Sequence, residues 1–327
     1  MRTEREWIKA RYRTVGCIAA AAWLGGFSVR AMGQEGAKTD GKPSSKRQPI
    51  YDESADAKSQ IAEALKRAGR ENKRVLVMFG ANWCGWCYKL HDVFKEDPAV
   101  GKTLQYEYER VMVDIGRRDK NLDIATGYGV ALEKEGVPFL TVLDAGGKVL
   151  ANQETGSLEA GERHDPEKVQ AFLKRWAAPP LDARRVADAA LAQAKSQGKM
   201  VFVRLGAPWC GWCHKLDDFV ARKDIAAILA RDFLDTKLDL DRMQNAKEVA
   251  GRFRSNEDSG LPWFAFVDAD GKVLASSEGP EGNVGFPAAP AEIAHFAGML
   301  KKHARNITAD QIAMVERLLQ EAAKPEK

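Results

Sequence analysis

Four of the five cysteines fall in two Cys-x-x-Cys pairs, Cys84 with Cys87 and Cys210 with Cys213. Both pairs lie within the same five residues, Trp-Cys-Gly-Trp-Cys. Two thiols at this spacing can exchange with a partner disulfide, because the first thiolate attacks it and the second thiol resolves the mixed disulfide. No cysteine after residue 31 is left for a structural framework. The pattern therefore indicates thiol–disulfide chemistry at two sites.

The elements predicted around each pair favour this reactivity. A short apolar run, over 75–79 and again over 201–205, predicts a buried strand directly before each pair, and a helix follows. The first cysteine then lies near unpaired backbone N–H groups and the positive end of the helix dipole, which favours the thiolate at Cys84 and Cys210. We therefore expect these two cysteines to be the nucleophiles.

The two sites belong to two copies of one longer pattern. A shift of 126 residues places 80–87 on 206–213, and a later shift of 124 places 147–151 on 271–275. Two copies of one unit account for nearly all of the chain beyond residue 50. We therefore predict two domains in tandem, residues 51–178 and 179–305, with Pro179-Pro180 at the boundary and a helical extension over 306–327.

Both copies show the same predicted order of elements. After the first helix, the first strand and the helix that carries the cysteine pair come a second strand, a third strand after a proline, a turn, a fourth strand and a closing helix. The ranges are helices 57–68, 88–93 and 166–176 with strands 75–79, 110–115 and 139–143, then helices 183–194, 214–220 and 290–304 with strands 201–205, 236–240 and 263–267. Thr308 and Gln311 form a capping-box pattern that predicts an additional C-terminal helix.

Each copy resembles the thioredoxin superfamily from the first strand through Trp-Cys-x-x-Cys to a Val-Pro or Leu-Pro before a strand. The resemblance implies an α/β fold of two tandem thioredoxin-like domains, each a central mixed β-sheet flanked by helices. It also implies that Pro138 and Pro262 are cis and face the cysteine pairs. The Cys-Gly-Trp-Cys motif is most similar to bacterial exported thioredoxin-like families related to the redox domain of transmembrane electron transporters.

Six further residues are candidates for binding a protein substrate. The tryptophans around each pair would shield the site and offer apolar contact, although Trp86 and Trp212 could equally be packing residues. The prolines would leave backbone free for strand-like pairing with a substrate segment. These candidates are Trp83, Trp86, Pro138, Trp209, Trp212 and Pro262.

The chain departs from the thioredoxin pattern at one place in both copies. Thioredoxin has a buried acid in the strand before its active site, and the matching positions here are Met78 and Arg204. An accompanying lysine would correspond to Arg110 and Lys237 in this alignment. The missing acids leave the redox potential and the direction of reaction open.

The N-terminal residues indicate export. Basic residues precede an apolar stretch over 15–27 and a small-residue cleavage pattern ending at Ala31, which predicts a signal peptide over 1–31 and a polar, flexible linker over 32–50. A lipoprotein anchor at Cys17 is the weaker alternative, because that cysteine lies at the start of the apolar stretch. We expect a periplasmic or extracellular protein.

Charge and composition exclude several classes of function. The chain is 45% apolar and 29% charged, which is typical of soluble domains. Residues 1–31 carry six basic and two acidic groups, so the remainder has 44 of each and no net charge. This balance gives no support to binding of nucleic acid or of an anionic membrane by the folded part.

Other interpretations of the cysteines compete with redox exchange. Cys210-Gly-Trp-Cys213-His214 matches a c-type haem attachment motif, but the first copy has Tyr88 at the histidine position. A zinc site shared by all four cysteines would need the two sites to meet face to face. The pairs could also be inert disulfides of an exported scaffold. The other histidines show no metal spacing, and 156–166, which contains His164, is expected to be a solvated loop.

The function predicted from these residues is protein-disulfide oxidoreduction, with reduction or isomerisation favoured over oxidation. Cys84 and Cys210 would attack, and Cys87 and Cys213 would resolve. The expected partners are exported proteins that carry disulfides or thiols, with a membrane electron donor if the protein works repeatedly as a reductase. No bound cofactor is expected.

Overall fold

The computed structural model describes residues 47–324, so the predicted signal peptide over 1–31 and most of the linker over 32–50 lie outside the described residues. Residues 48–178 are called the first half below, and residues 179–324 the second half. Each half contains one four-stranded mixed sheet with helices on both faces. This confirms the predicted α/β class with two mixed sheets.

The first half begins with a helix and two parallel strands separated by two helices. Its elements are α1 (Ala57–Glu71), β1 (Arg74–Gly80), α2 (Gly85–Glu96), α3 (Pro98–Glu107), β2 (Tyr108–Asp114), α4 (Leu122–Gly127), α5 (Leu132–Glu135), β3 (Phe139–Leu143), β4 (Val149–Glu154), β5 (Glu159–Ala160), β6 (Arg163–His164) and α6 (Pro166–Trp176). The sheet order is β2-β1-β3-β4. β1 is parallel to β2 and antiparallel to β3, and β4 is antiparallel to β3.

The second half repeats this arrangement. Its elements are α7 (Ala183–Gln197), β7 (Met200–Gly206), α8 (Gly211–Ala221), α9 (Lys223–Leu229), β8 (Phe233–Asp239), α10 (Ala246–Gly251), β9 (Trp263–Val267), β10 (Val273–Ser276), β11 (Glu278–Gly279), β12 (Gly282–Asn283), α11 (Pro290–His303) and α12 (Ala309–Ala322). The sheet order β8-β7-β9-β10 has the same parallel and antiparallel pairs as the first sheet.

The central strands β1 and β7 are buried along almost their whole length, which explains their continuous apolar sequences. Each sheet has an apolar cluster on both faces, so the two halves have separate cores. Rings of Phe202, Phe264, Phe266 and Phe296 meet at centroid distances of 5.4–6.1 Å in the second core. The sheet and the helices on each face thus form a rigid support for the loop after the central strand.

The C-terminal helix α12 packs on the second half. Thr308 caps it, and the capping box with Gln311 is present as the sequence predicts. Ile312, Val315 and Leu319 join the second core. The helix therefore extends the second core.

The short helices α3, α4, α5, α9 and α10 and the two small hairpins were not predicted. Four of these helices have four to seven residues, and α3 has ten and begins with a proline, so each gives too little periodicity to be recognised in sequence. Within residues 47–324, no helix is both long and apolar enough to cross a bilayer.

The two halves are joined by polar contacts at the end of α1. The Arg242 guanidinium donates to the carbonyls of Glu71 and Asn72 at 2.6 and 2.9 Å and to the Glu107 carboxylate at 2.8 Å. Asn72 in turn donates to the carbonyl of Pro179 at 2.9 Å. Arg242 thereby satisfies carbonyls that the end of a helix leaves without partners.

Candidate functional site

The first cysteine pair lies where β1 leads into α2. Cys84 is the N-cap residue of α2, and its Sγ accepts a hydrogen bond from the backbone N–H of Cys87 at 3.1 Å. The two residues form a disulfide. Cys84 is 5% exposed and Cys87 is fully buried. Cys84 is therefore the more accessible residue of the pair, and a thiolate there would be stabilised by the helix N-terminus.

The second pair has the same geometry. Cys210 caps α8, its Sγ accepts from the N–H of Cys213 at 3.1 Å, and the two residues form a disulfide. Cys210 is 5% exposed and Cys213 is 2% exposed. The strand-to-helix placement expected from sequence thus occurs at both pairs.

The two predicted prolines follow cis peptide bonds, Val137–Pro138 and Leu261–Pro262, as the resemblance implied. The Sγ of Cys84 lies 3.6 Å from the carbonyl oxygen of Val137. In the second half, Leu261 packs against the cluster that Ala207, Cys210 and Cys213 form. The loops before β3 and β9 are therefore next to the disulfides.

Three of the four tryptophans in the two Trp-Cys-Gly-Trp-Cys sites are more than half exposed to solvent. Trp83, Trp209 and Trp212 are 52%, 57% and 55% exposed. Trp212 stacks on Phe286 at a centroid distance of 6.0 Å. Trp86 is half-buried and packs on the first core, so its role there is at least partly structural.

Hydrogen bonds fix the outer tryptophans in place. The indole N–H of Trp83 donates to the carbonyl of Gly116 at 2.6 Å. The indole N–H of Trp209 donates to the carboxylate of Asp241 at 2.9 Å, and that carboxylate also accepts from the hydroxyl of Tyr106 in the first half at 2.9 Å. Asp241 therefore links the second site to the first half.

A charge cluster lies behind the second pair. The buried Arg204 donates to both oxygens of Asp235, at 2.6 and 2.8 Å, and also pairs with Asp217. Lys237 donates to the other oxygen of Asp217 at 2.6 Å. A Cβ at Gly206 would lie 3.4 Å from the Sγ of Cys213 and 3.7 Å from the Cε of Lys237, so this cluster lies near Cys213.

Sequence reasoning found Arg204 and Lys237 but missed the two carboxylates. Asp217 lies one turn beyond Cys213 on α8, and Asp235 lies on β8. A charged residue in the middle of an otherwise buried strand, such as Arg204, was the available signal that acids must lie nearby. In the second half, the acids that pair with Arg204 therefore lie on α8 and β8.

The predicted correspondence of Arg110 with Lys237 is wrong. Arg110 pairs in register with Leu76, whereas Lys237 pairs with Arg204. The counterpart of Lys237 in the first sheet is Met112, which is in register with Met78. The shift between the copies is 125 residues in this strand, and sequence alone gave no marker of the change.

His164 is fully buried, which contradicts the expected solvated loop over 156–166. This stretch forms a 3₁₀ turn and the β5–β6 hairpin. The imidazole of His164 and the ring of Trp86 pack in a T-shaped arrangement, with their centroids 5.4 Å apart. Neither ring nitrogen has a hydrogen-bond partner among the described residues. Burial, aided by the Lys89 ammonium, lowers the pKa of His164 to about 4, so the ring is neutral at pH 7.

Stability should fall as the pH falls from about 6.5 to about 4, because the unfolded chain then binds a proton at His164 that the folded protein does not. The loss attributable to this group is about 1.4 kcal/mol per pH unit in that window. Urea unfolding of the parent and of His164→Phe at pH 7, 6, 5 and 4 measures it. The difference between the two curves isolates the histidine, and parallel curves would contradict the assignment.

Among residues 47–324, one cluster has donors that a metal ion could use. Glu71, at the end of α1, lies with His214 and Asp217 within ligand distance of one another. The fit is poor, since Lys73 pairs with Glu71 at 2.8 Å and both oxygens of Asp217 already accept from cations. The His214 ring nitrogen also contacts the carbonyl of Pro208 at 2.8 Å.

This sheet order, with a Cys-x-x-Cys pair capping the helix after the central strand and a cis-proline loop beside it, defines a protein of thioredoxin type. A family described as thioredoxin-like matches residues 56–145, and a family described as a protein of unknown function, DUF255, matches residues 164–319. The chain belongs to the thioredoxin superfamily.

Several relatives are named for disulfide chemistry. Disulfide bond reductase DsbH of Chlamydia pneumoniae is 30% identical over 122 residues, which are 35% of this chain and 70% of that protein. Protein disulfide-isomerase tigA of Aspergillus niger is 25% identical over 232 residues, 66% of this chain and 58% of the relative. The chain spans about half the length of the disulfide-isomerase relatives it matches.

Solved structures include similar proteins. A disulphide isomerase from Xylella fastidiosa Temecula1 is 30% identical, covering 38% of this chain and 95% of that one with a TM-score of 0.35. A DsbH oxidoreductase is 26% identical, covering 35% of this chain and 81% of the other with a TM-score of 0.26.

Proposed function

We propose that this chain is a thiol–disulfide oxidoreductase acting on proteins, with one dithiol site in each half. Cys84 and Cys210 are the nucleophiles, and Cys87 and Cys213 are the resolving thiols. The observation that carries the proposal is the asymmetry of each pair: the first cysteine caps a helix and is the more exposed of the two, at 5% against 0% in the first pair and 5% against 2% in the second. That arrangement suits attack by the first sulfur and resolution by the second.

Reduction of a client proceeds in two exchanges. The thiolate of Cys84 attacks a client disulfide, forming a mixed disulfide and releasing one client thiolate. Cys87 then loses its proton, its sulfur bonds to Cys84, and the second client sulfur leaves as a thiol. The client gains two electrons, and the pair becomes the disulfide seen in the structure. Cys210 and Cys213 act in the same way.

The client segment is proposed to lie across the exposed tryptophans and the loops that hold Pro138 and Pro262. Trp83, Trp209 and Trp212 offer apolar faces beside the sulfurs, and aromatic faces of this size are effective anchors in protein interfaces. Backbone at the cis-proline loops can pair with an extended segment. Protein clients are in keeping with the relatives named as protein disulfide-isomerases.

Export, domain boundaries and direction of reaction are further parts of the proposal. The basic and apolar pattern over 1–31 supports a signal peptide, which places the mature chain in a periplasm or outside the cell. Two thioredoxin-like domains, 51–178 and 179–305, would then precede the extension over 306–327. Reduction or isomerisation is favoured over oxidation, and repeated reduction requires a membrane donor of electrons.

The test is a redox titration of the mature chain in glutathione and dithiothreitol buffers, with each pair followed separately by alkylation and mass measurement. Reversible cycling of both pairs is expected. A potential near about −270 mV would indicate a reductase, and one near about −120 mV an oxidant. Two pairs that remain oxidised throughout would support the inert scaffold instead.

A further inference from the structure

The hydroxyl of Tyr51 lies beside the resolving cysteine of the first pair. Tyr51 is 2% exposed, and its Oη has no hydrogen-bond partner among the described residues. A Cβ at Gly80 would clash with this Oη and lie only 2.6 Å from the Sγ of Cys87. The absence of a side chain at Gly80 therefore leaves a small space that the hydroxyl and the sulfur share.

The segment that carries Tyr51 is held in this position by Asn82. The Asn82 side chain accepts hydrogen bonds from the N–H groups of Ile50 and Tyr51, both at 3.0 Å, and donates to the Tyr51 carbonyl at 2.9 Å. The ring itself belongs to the same core cluster as Cys84 and Cys87. The placement of the hydroxyl is thus fixed by backbone contacts as well as by packing.

An unpaired buried hydroxyl is costly, because desolvating it without a hydrogen bond costs about 1–3 kcal/mol. The disulfide form shows that unpaired state. A thiolate is a much stronger acceptor than a disulfide sulfur, so reduction of the pair would give the hydroxyl the partner that it lacks.

We propose that Tyr51 donates a hydrogen bond to the Cys87 thiolate when the first pair is reduced. This rests on the proposed function, since it requires that the pair cycle. The hydroxyl takes part as a donor only: burial raises the pKa of Tyr51, and the neighbouring Asp114 and Tyr88 raise it further, so it keeps its proton at neutral pH.

The proton balance of resolution follows from this role. Cys87 loses its proton before it attacks Cys84, and that proton is taken up by the departing client sulfur. Tyr51 stabilises the short-lived Cys87 thiolate without transferring a proton. In the reverse direction, the same hydrogen bond stabilises Cys87 as the leaving group when a thiolate attacks Cys84.

The surroundings of the resolving cysteine are different in the second half. The position 126 residues beyond Tyr51 is Ala177, which has no hydroxyl. Lys237 and its partner Asp217 lie near Cys213 instead. The second pair is therefore an internal control for any change at Tyr51, measured in the same molecule.

Tyr51→Phe removes the hydroxyl and keeps the ring. We expect the attack of Cys87 on the mixed disulfide between Cys84 and glutathione to slow about tenfold, the effect of losing one hydrogen bond to a charged group. The corresponding rate for the Cys210–Cys213 pair in the same protein should change by less than about twofold from the parent, which is well below the effect of losing one hydrogen bond.

The experiment uses the full mature chain, with both pairs quantified from the same alkylated digest. A second measurement follows the alkylation rate of Cys87 against pH in Cys84→Ser with and without Tyr51→Phe. The thiol pKa of Cys87 should rise when the hydroxyl is removed. A role in packing alone would affect both redox states equally and move neither quantity.

The outcomes separate this proposal from the one on which it rests. If both pairs cycle in the parent but Tyr51→Phe leaves the first pair unchanged, or moves both pairs equally, the role of Tyr51 is overturned and the oxidoreductase function stands. If neither pair cycles in the parent, both proposals fail together.

Discussion

This chain is expected to catalyse the reduction of insulin disulfides by dithiothreitol. Replacing both Cys84 and Cys210 with serine should slow the catalysed reaction at least about a hundredfold. A serine hydroxyl is not ionised at neutral pH and cannot form a mixed disulfide. Turbidity of the released insulin chain gives the rate. A double variant that retains the activity of the parent would exclude the cysteine pairs as its source.

The two single variants, Cys84→Ser and Cys210→Ser, show how much each site contributes to the activity. Independent sites would leave each single variant with the activity of the remaining pair, and the two residual rates would add up to that of the parent. A relay between the halves would make each single variant as slow as the double variant. Cys87→Ser and Cys213→Ser are matched controls, since they keep the nucleophiles and should accumulate trapped mixed disulfides with insulin.

The second large effect is expected on stability. Replacing Asp217 with asparagine should lower the free energy of unfolding by about 3 kcal/mol, because it removes one charge from a buried ion-pair cluster. Asp217 accepts from Arg204 and from Lys237, and the side chains of these two cations are 8% and 16% exposed. Asp235 still pairs with Arg204, so Lys237 is the cation left without its carboxylate.

Asp218→Asn is the matched control for this measurement. It makes the same chemical change one residue further along α8, where the side chain is 70% exposed and lies 4.0 Å from its partner Arg70. An exposed pair of this kind contributes about 0–1 kcal/mol. Urea unfolding of both variants at pH 7 compares them, and equal small losses would show that the cluster around Asp217 contributes little.

The chemistry and the general fold of this chain are determined by local sequence features. The two Trp-Cys-Gly-Trp-Cys sites, the apolar runs that became β1 and β7, and the repeated spacing between them identified the dithiol sites and the α/β class. The capping box at Thr308 predicted the start of α12 for the same reason. These features are readable because caps and hydrophobic periodicity depend on residues close together in the chain.

The surroundings of the buried sulfurs were decided only by the tertiary structure. Tyr51 lies 36 positions before Cys87, and Asp217 and Lys237 lie on different elements, so no local pattern connects them with their cysteines. Burial of His164 likewise depends on its contact with Trp86 across the fold. The sequence by itself indicated the two cysteine pairs, whereas long-range packing decided which hydroxyl, ammonium and carboxylate lie near them, because only the folded core brings distant segments within hydrogen-bonding distance.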